Sequence, residues 1–136
     1  MDLYAENILD HYRHPRNSGS LTSPTISHRE ENLSCGDDLT LEILIDGDII
    51  KEIAWKGSGC AISQAAMSLL SEELIDKKTK DAEVLSPETV RTLLGVPIGT
   101  RREKCAFLGL HTLKNALLKA KNEDMQPWRK TVQIDN

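Results

Sequence analysis

The sequence predicts a single domain that mixes antiparallel strands with helices. Three observations carry this: a central run of alternating apolar residues broken by a tight turn, apolar stripes at helical spacing on both sides of it, and a length suited to one core. The chain has 136 residues, 39% of them hydrophobic and 28% charged. A domain of this size buries roughly two-thirds of its unfolded surface, so it needs no disulfide framework. Its three cysteines, an odd number, also speak against a secreted scaffold of paired thiols.

Residues 2 to about 13 read as a helix, because Tyr4, Ile8, Leu9 and Tyr12 recur at helical spacing and Pro15 follows as a stop. His11 and His14 then fall in a solvated last turn, where cations complement the helix dipole. From Asn17 to Asn32 the chain is rich in Ser, Thr and Pro and reads mostly as loop, with one short strand around Thr25 to Glu30. Leu39, Leu41, Ile43 and Ile45 alternate with more polar residues, and beyond Asp46-Gly47-Asp48 the residues Ile49, Ile53 and Trp55 continue the pattern, which is a β-hairpin. Matching the apolar faces favours a three-residue loop that pairs Ile45 with Ile49, Leu41 with Ile53 and Leu39 with Trp55.

After Gly57-Ser58-Gly59 the period changes. Ile62, Ala65, Ala66, Leu69, Leu70 and Leu74 form a helical stripe beginning at Cys60 or just after it. Ser86 followed by Pro87 opens a short helix that Gly95 closes. Thr100 and Glu103 have capping-box spacing at the head of a last helix reaching about Ala120, with Ala106, Leu110, Leu113 and Leu117 inward. Residues 1–121 are therefore read as the domain and 122–136 as a polar C-terminal tail, from which Trp128 is available to dock on the domain or on a partner.

With 17 Lys and Arg against 21 Asp and Glu, the net charge is −4, which excludes nucleic acid and anionic membrane as the main partners. The densest basic cluster, Arg101-Arg102-Glu103-Lys104, is short and interrupted. No basic stretch leads into an apolar run at the N-terminus and no segment is long enough to span a bilayer, so a cytoplasmic location with reduced thiols is expected.

The cysteines fall at comparable places: Cys35 in a Gly-containing turn before the hairpin, Cys60 at a helix N-terminus after it, and Cys105 in the first turn of the last helix. Singly, each reads as a small buried hydrophobe; jointly, three packing cysteines need not all lie at element boundaries. Asp37 follows Cys35 by two residues, and Gly36 permits a turn in which thiolate and carboxylate converge on one ion. Three thiolates and a carboxylate suit zinc or iron better than magnesium or calcium. Asp38, next to the incoming strand, is expected to be exposed. A cysteine hydrolase is a remote reading, because His28 and His111, outside the first helix, have no evident orienting partner.

Cys35-Gly36-Asp37, the Asp46-Gly47 hairpin, Gly57-Ser58-Gly59-Cys60-Ala61-Ile62-Ser63 and Lys104-Cys105-Ala106, in that order, resemble the IscU/SufU/NifU-N-terminal family of iron-sulfur cluster assembly proteins. The opening segment from Leu3 to Asn17 is similar to that family's first helix. The resemblance spans residues 3 to about 118 and implies an α+β fold, an antiparallel three-stranded sheet packed by helices, with a metal site at one exposed end. It implies Cys35, Asp37, Cys60 and Cys105 as metal or cluster ligands.

Lys104 stands where IscU-type members have a histidine, and Gly95-Val96-Pro97-Ile98-Gly99 replaces the Hsp70-recognition motif. Arg102, three positions before Cys105, makes the ligand set SufU-like, although the 44 residues between Cys60 and Cys105 match the shorter IscU-like spacing. The SufU resemblance implies resting zinc and a pyridoxal-phosphate cysteine desulfurase that docks, exchanges a ligand onto the zinc and frees a cysteine to accept persulfide sulfur. Cys35 is the implied acceptor and Cys105 the alternative, with Arg102 and Lys104 supporting the site or the partner. Sulfur would pass on to recipient iron-sulfur apoproteins or downstream assembly factors. The rival expectation is a non-enzymatic scaffold on which iron and sulfide assemble as a [2Fe-2S] cluster; a further one is an adaptor in which zinc only supports the fold.

Overall fold

The computed structural model describes residues 2–32 and 36–132. Leu33, Ser34 and Cys35 therefore lie outside the described residues, and so does the role implied for Cys35 as ligand and sulfur acceptor. The elements in chain order are α1 (Leu3–Arg13), β1 (Ile26–Asn32), β2 (Asp37–Asp46), β3 (Ile49–Ser58), α2 (Ala61–Leu74), α3 (Thr79–Glu83), α4 (Pro87–Leu94), a 3₁₀ turn over Thr100–Arg102, α5 (Glu103–Ala120) and α6 (Trp128–Val132). The strands form one antiparallel sheet in the order β1-β2-β3, and helices pack on it, which is the expected α+β arrangement.

The hairpin keeps its apolar faces together by a different device from the expected odd loop. Asp46 pairs with Ile49 across Gly47 and Asp48, Gly47 adopting φ +65°. A register shift between Leu44 and Ile45 then leaves Lys51 as the extra residue of β3, so Ile45 pairs with Ile50, Ile43 with Ile53 and Leu41 with Trp55. A β-bulge restores the face match that a simple two-residue turn would have broken. Lys51 and Glu52 are both exposed at that point, while Ile50, Ile53 and Trp55 are buried.

The segment read mainly as loop holds a full strand. β1 pairs from Ile26↔Ile43 to Asn32↔Asp37, which carries the chain to the edge of the site. His28 and Glu30 turn inward on this strand, so its interior face is polar and lacks the apolar alternation by which strands are recognised.

α5 lies between the sheet and α2, and Cys105 to Leu113 is buried on every side. A helix enclosed all round is expected to be apolar all round, and Ala106, Phe107, Leu108, Leu110 and Leu113 meet that demand. Leu41, Ile43, Ile50, Leu74, Leu94 and Leu110 are fully enclosed, and each contributes roughly 1.5–3 kcal/mol by its burial. α4 ends at Gly95 with φ +69°, and the Tyr4 ring packs so closely over that glycine that a Cβ would overlap it. The expected capping box at Thr100 does not form: Thr100 opens the 3₁₀ turn, and Glu103 lies 3.8 Å from Arg91.

The last turn of α1, read as solvated, is tied into the core. His11 is buried, with Nδ1 2.7 Å from Ser68 Oγ, and the backbone N–H of Arg16 donates to the same hydroxyl. At the other end of the chain α6 docks on α5, the Trp128 ring meeting the His111 ring edge-on at 5.2 Å.

Candidate metal centre

Three elements bring chemistry-bearing side chains to one end of the sheet. Asp37 is the first residue of β2, Cys60 is the N-cap of α2 directly after β3, and Cys105 lies in the first turn of α5. A carboxylate oxygen of Asp37 and the two Sγ atoms all lie within 4.8 Å of one another. Ligands about 2.0–2.3 Å from a tetrahedral ion stand roughly 3.5–4 Å apart, so small rotations would close the group on one ion. Asp37 and Cys105 are buried, whereas Cys60 is exposed, so the cluster opens to solvent on the Cys60 side.

The donors also fit an ion by what they lack. Asp37 is 4% exposed, and its Oδ2 is fully buried with no hydrogen-bond partner among the described residues. An orphaned buried acceptor costs free energy, and it is expected where a cation completes its shell.

The neighbouring backbone is braced by Asp38. Expected to be exposed, it is half-buried: its Oδ1 accepts from the Ser58 N–H (2.8 Å) and from the Ser58 hydroxyl (3.0 Å), and its Oδ2 accepts from Arg29 (3.0 Å). These bonds from Ser58 and Arg29 hold its carboxyl below the usual carboxylate range. Asp38 thus ties the start of β2 to β1 and to the end of β3, on either side of Asp37. Gly57 lets β2 and β3 approach: a Cβ there would fall 2.1 Å from the Asp38 carbonyl oxygen. Sequence reasoning missed Ser58, Gly57 and Gly59 as parts of the site; the Gly57-Ser58-Gly59 run was the signal.

Arg102 and Lys104 flank Cys105 on the exposed surface. Lys104 lines a groove of about 340 Å³ between the end of β1 and α5, whose far wall is Trp128. His111 lines the same groove, and both it and His28, which had no evident partner in the sequence, are engaged. Glu30 Oε2 accepts from His28 Nε2 (2.7 Å) and from Asn115 (2.8 Å), and Glu30 Oε1 stands 3.7 Å from His111 Nε2. Burial raises the Glu30 pKa, but the bonds from His28 and Asn115 outweigh it and leave the carboxyl below its ordinary value. Burial pushes His111 down, towards the neutral imidazole. The network joins β1 to α5 through histidine, carboxylate and amide groups, so it reads as support for the fold.

The chain matches the NifU-like N-terminal domain family over residues 3–126. It belongs to that family. Among relatives of this NifU-like domain, the iron-sulfur cluster assembly scaffold protein IscU of Thermotoga maritima is 31% identical over 133 residues, covering 86% of this chain and 94% of the relative. The zinc-dependent sulfurtransferase SufU of Bacillus subtilis is 30% identical over 134 residues, covering 86% and 90%. The two identities are nearly equal, so they do not choose between the IscU and SufU branches. A crystal structure described as an iron-sulfur cluster assembly scaffold protein of the SUF system from Fervidobacterium islandicum superposes with a TM-score of 0.74 at 30% identity, covering 82% of this chain and 94% of that one. A NifU-like N-terminal domain from Brucella abortus shares the fold with the same TM-score at 16% identity. No described helix of this NifU-like domain is long and apolar enough to cross a membrane.

Proposed function

We propose that this chain is a sulfur acceptor and carrier for iron-sulfur cluster assembly, holding zinc at Cys35, Asp37, Cys60 and Cys105. The observation that carries the reading is a carboxylate oxygen of the buried Asp37 lying within 4.8 Å of the thiols of Cys60 and Cys105, on a carboxyl whose Oδ2 has no hydrogen-bond partner among the described residues. The resemblance supplies Cys35 as the fourth donor. Zinc suits this soft, tetrahedral set, and when bound it would keep the thiols deprotonated.

The chain's own residues then have separable tasks. Asp37 contributes the one hard donor from a buried position, and Cys105 contributes a thiol from within the core. Cys60 faces solvent, which leaves a side open for a partner. The proposed partner is a pyridoxal-phosphate cysteine desulfurase carrying a persulfide. The acceptor thiolate, Cys35 first and Cys105 as the alternative, attacks the outer sulfur of that persulfide. A new S–S bond forms on this chain while the desulfurase cysteine leaves as thiolate, so no external oxidant or reductant is consumed. Arg102 and Lys104, exposed beside Cys105, are proposed to contact the incoming partner. Delivery to recipient apoproteins or downstream assembly factors completes the role, and a cytoplasmic setting keeps the thiols reduced.

The test pairs metal analysis of anaerobically purified protein with desulfurase assays. Tightly held zinc, faster alanine production from cysteine in the presence of the chain, and a +32 Da adduct (the mass of one sulfur, about 32 Da) on Cys35 are expected. A stable [2Fe-2S] chromophore assembled from iron and sulfide, with desulfurase turnover unchanged, would replace the relay by the scaffold reading. Loss of cooperative unfolding on chelation, with no effect on turnover, would leave only a structural metal.

A further inference from the structure

Gly59 stands between the last residue of β3 and the N-cap of α2, and its backbone gives no reason for a glycine. Gly36, Gly47 and Gly95 have φ of +77°, +65° and +69°, in the left-handed region that side chains avoid; Gly59 does not. What forbids a side chain at position 59 is space. A Cβ there would fall 2.4 Å from Ser63 Oγ, 2.8 Å from Asp37 Oδ1 and 2.9 Å from Asp37 Cγ. All three separations are shorter than real Cβ contacts.

The two neighbours differ in how they could yield. Ser63 carries a single rotatable hydroxyl, which donates to the Cys60 carbonyl at 3.0 Å and can rotate away at the cost of that bond. Asp37 is enclosed, at 4% exposure, on a strand paired on one side with Asn32 and followed by the clamped Asp38. Its carboxylate can leave the Cβ only by moving relative to Cys60.

We propose that Gly59 is a positioning residue for the divalent metal centre: its missing side chain is the space in which the Asp37 carboxylate stands, and so fixes the approach of that carboxylate to the cysteine sulfurs. The inference rests on the metal-site reading above and adds a residue that donates no ligand atom. It assigns the carboxylate-thiolate geometry to a void rather than to a hydrogen bond, which agrees with Asp37 Oδ2 having no partner among the described residues. With a methyl group at position 59 the carboxylate is displaced, and the ion is left with its thiolates and a water in place of the fourth protein donor.

The test is cobalt(II) substitution in the full chain, read by the thiolate charge-transfer and ligand-field absorption bands, with zinc affinity measured by competition against a chromophoric chelator. Gly59→Ala is expected to weaken the metal about 10- to 100-fold, the range for residues that orient a ligand. Its ligand-field bands should move to those of Asp37→Ala, while the thiolate bands persist. Gly59→Ala/Ser63→Ala should bind no better than Gly59→Ala. In the Asp37→Ala background, Gly59→Ala should change neither affinity nor bands, because the group it displaces is gone. That pair also serves if Gly59→Ala alone fails to fold, since removing the carboxylate relieves the overlap with Asp37, leaving only the one that rotation of the Ser63 hydroxyl relieves, and should restore folding.

Wild-type affinity and bands in Gly59→Ala, or full rescue by Ser63→Ala, would overturn the positioning role while leaving the metal site standing. Bands and affinity unchanged by Asp37→Ala would instead overturn the metal-site reading beneath it.

Discussion

The Nδ1 atom of His111 lies 2.7 Å from Thr131 Oγ1, and this bond ties α5 to α6. Thr131 Oγ1 also accepts from Gln126 Nε2 at 2.8 Å, and on the far side of the ring Asn115 Nδ2 stands 3.3 Å from His111 Nε2; an amide nitrogen can only donate, so Nε2 accepts and the ring proton lies on Nδ1 toward Thr131. Gln126 returns to α5 through its backbone N–H, which donates to Asn115 Oδ1, and through its carbonyl, which accepts from Asn115 Nδ2. Thr131→Val, nearly isosteric, would leave the buried His111 Nδ1 and the half-buried Gln126 Nε2 without this partner. The expected loss is about 1–3 kcal/mol of unfolding free energy, measured by urea denaturation, together with a red shift of Trp128 emission. An unchanged midpoint would mean that α6 is held by apolar contact alone.

That clasp shows where the sequence was legible. The hairpin and the α2 stripe were visible because their buried positions are apolar, and the hairpin faces came out paired as the alternation demands. Register did not, because a bulge at Lys51 corrects parity in a way that no composition signal announces. The length of β1 and the burial of His11 were misread, and the docking of Trp128 was left open between domain and partner, for one shared reason: the inward residues are polar, and hydrophobic periodicity cannot see a core contact made by hydrogen bonds. The convergence of Asp37, Cys60 and Cys105 was readable from their places at element ends, whereas Gly59, defined by what it leaves empty, was not.

Two of the three buried histidines, His11 and His111, make stability depend on pH. Burial lowers the pKa of His11, with Arg16 adding to the effect, and burial lowers that of His111. In the unfolded chain each titrates near 6.5. Below that value the unfolded chain binds protons that the folded chain does not, so folding stability falls as pH falls. The metal-free protein should therefore lose Tm progressively from pH 7.5 to 5.5. His11→Gln and His111→Gln should each flatten the slope, whatever they do to the absolute midpoint. A Tm that is constant or rises toward acid would contradict this assignment.

Unequal burial predicts unequal thiol reactivity. Cys60 is exposed and Cys105 is 9% exposed, at the edge of the core. In the metal-free native protein iodoacetamide should modify Cys60 well before Cys105, as followed by peptide mass spectrometry. In denaturant the two rates should converge, because access then ceases to differ. Prior loading with zinc should slow both in the native state. Equal native rates would mean that the first turn of α5 opens readily, and would make Cys105 as accessible to a persulfide donor as Cys60.

Asp37 should show opposite effects in the two metal states. Without metal, its Oδ2 is a buried acceptor with no partner among the described residues, and such a group costs about 1–3 kcal/mol. Asp37→Ala removes that cost along with a small volume beside Gly59, where the protein leaves space for the carboxylate and nothing larger. The metal-free variant should therefore unfold at the same or a higher urea concentration than the metal-free wild type. Loaded with zinc, the order should reverse, because the wild type gains binding free energy from a complete shell and the variant does not. Denaturation curves recorded with chelator and with excess zinc, on both proteins, give the four midpoints. A variant less stable in both states would make Asp37 a structural residue whose carboxylate supports the fold, and a variant more stable in both would mean that the carboxylate contributes nothing to the metal.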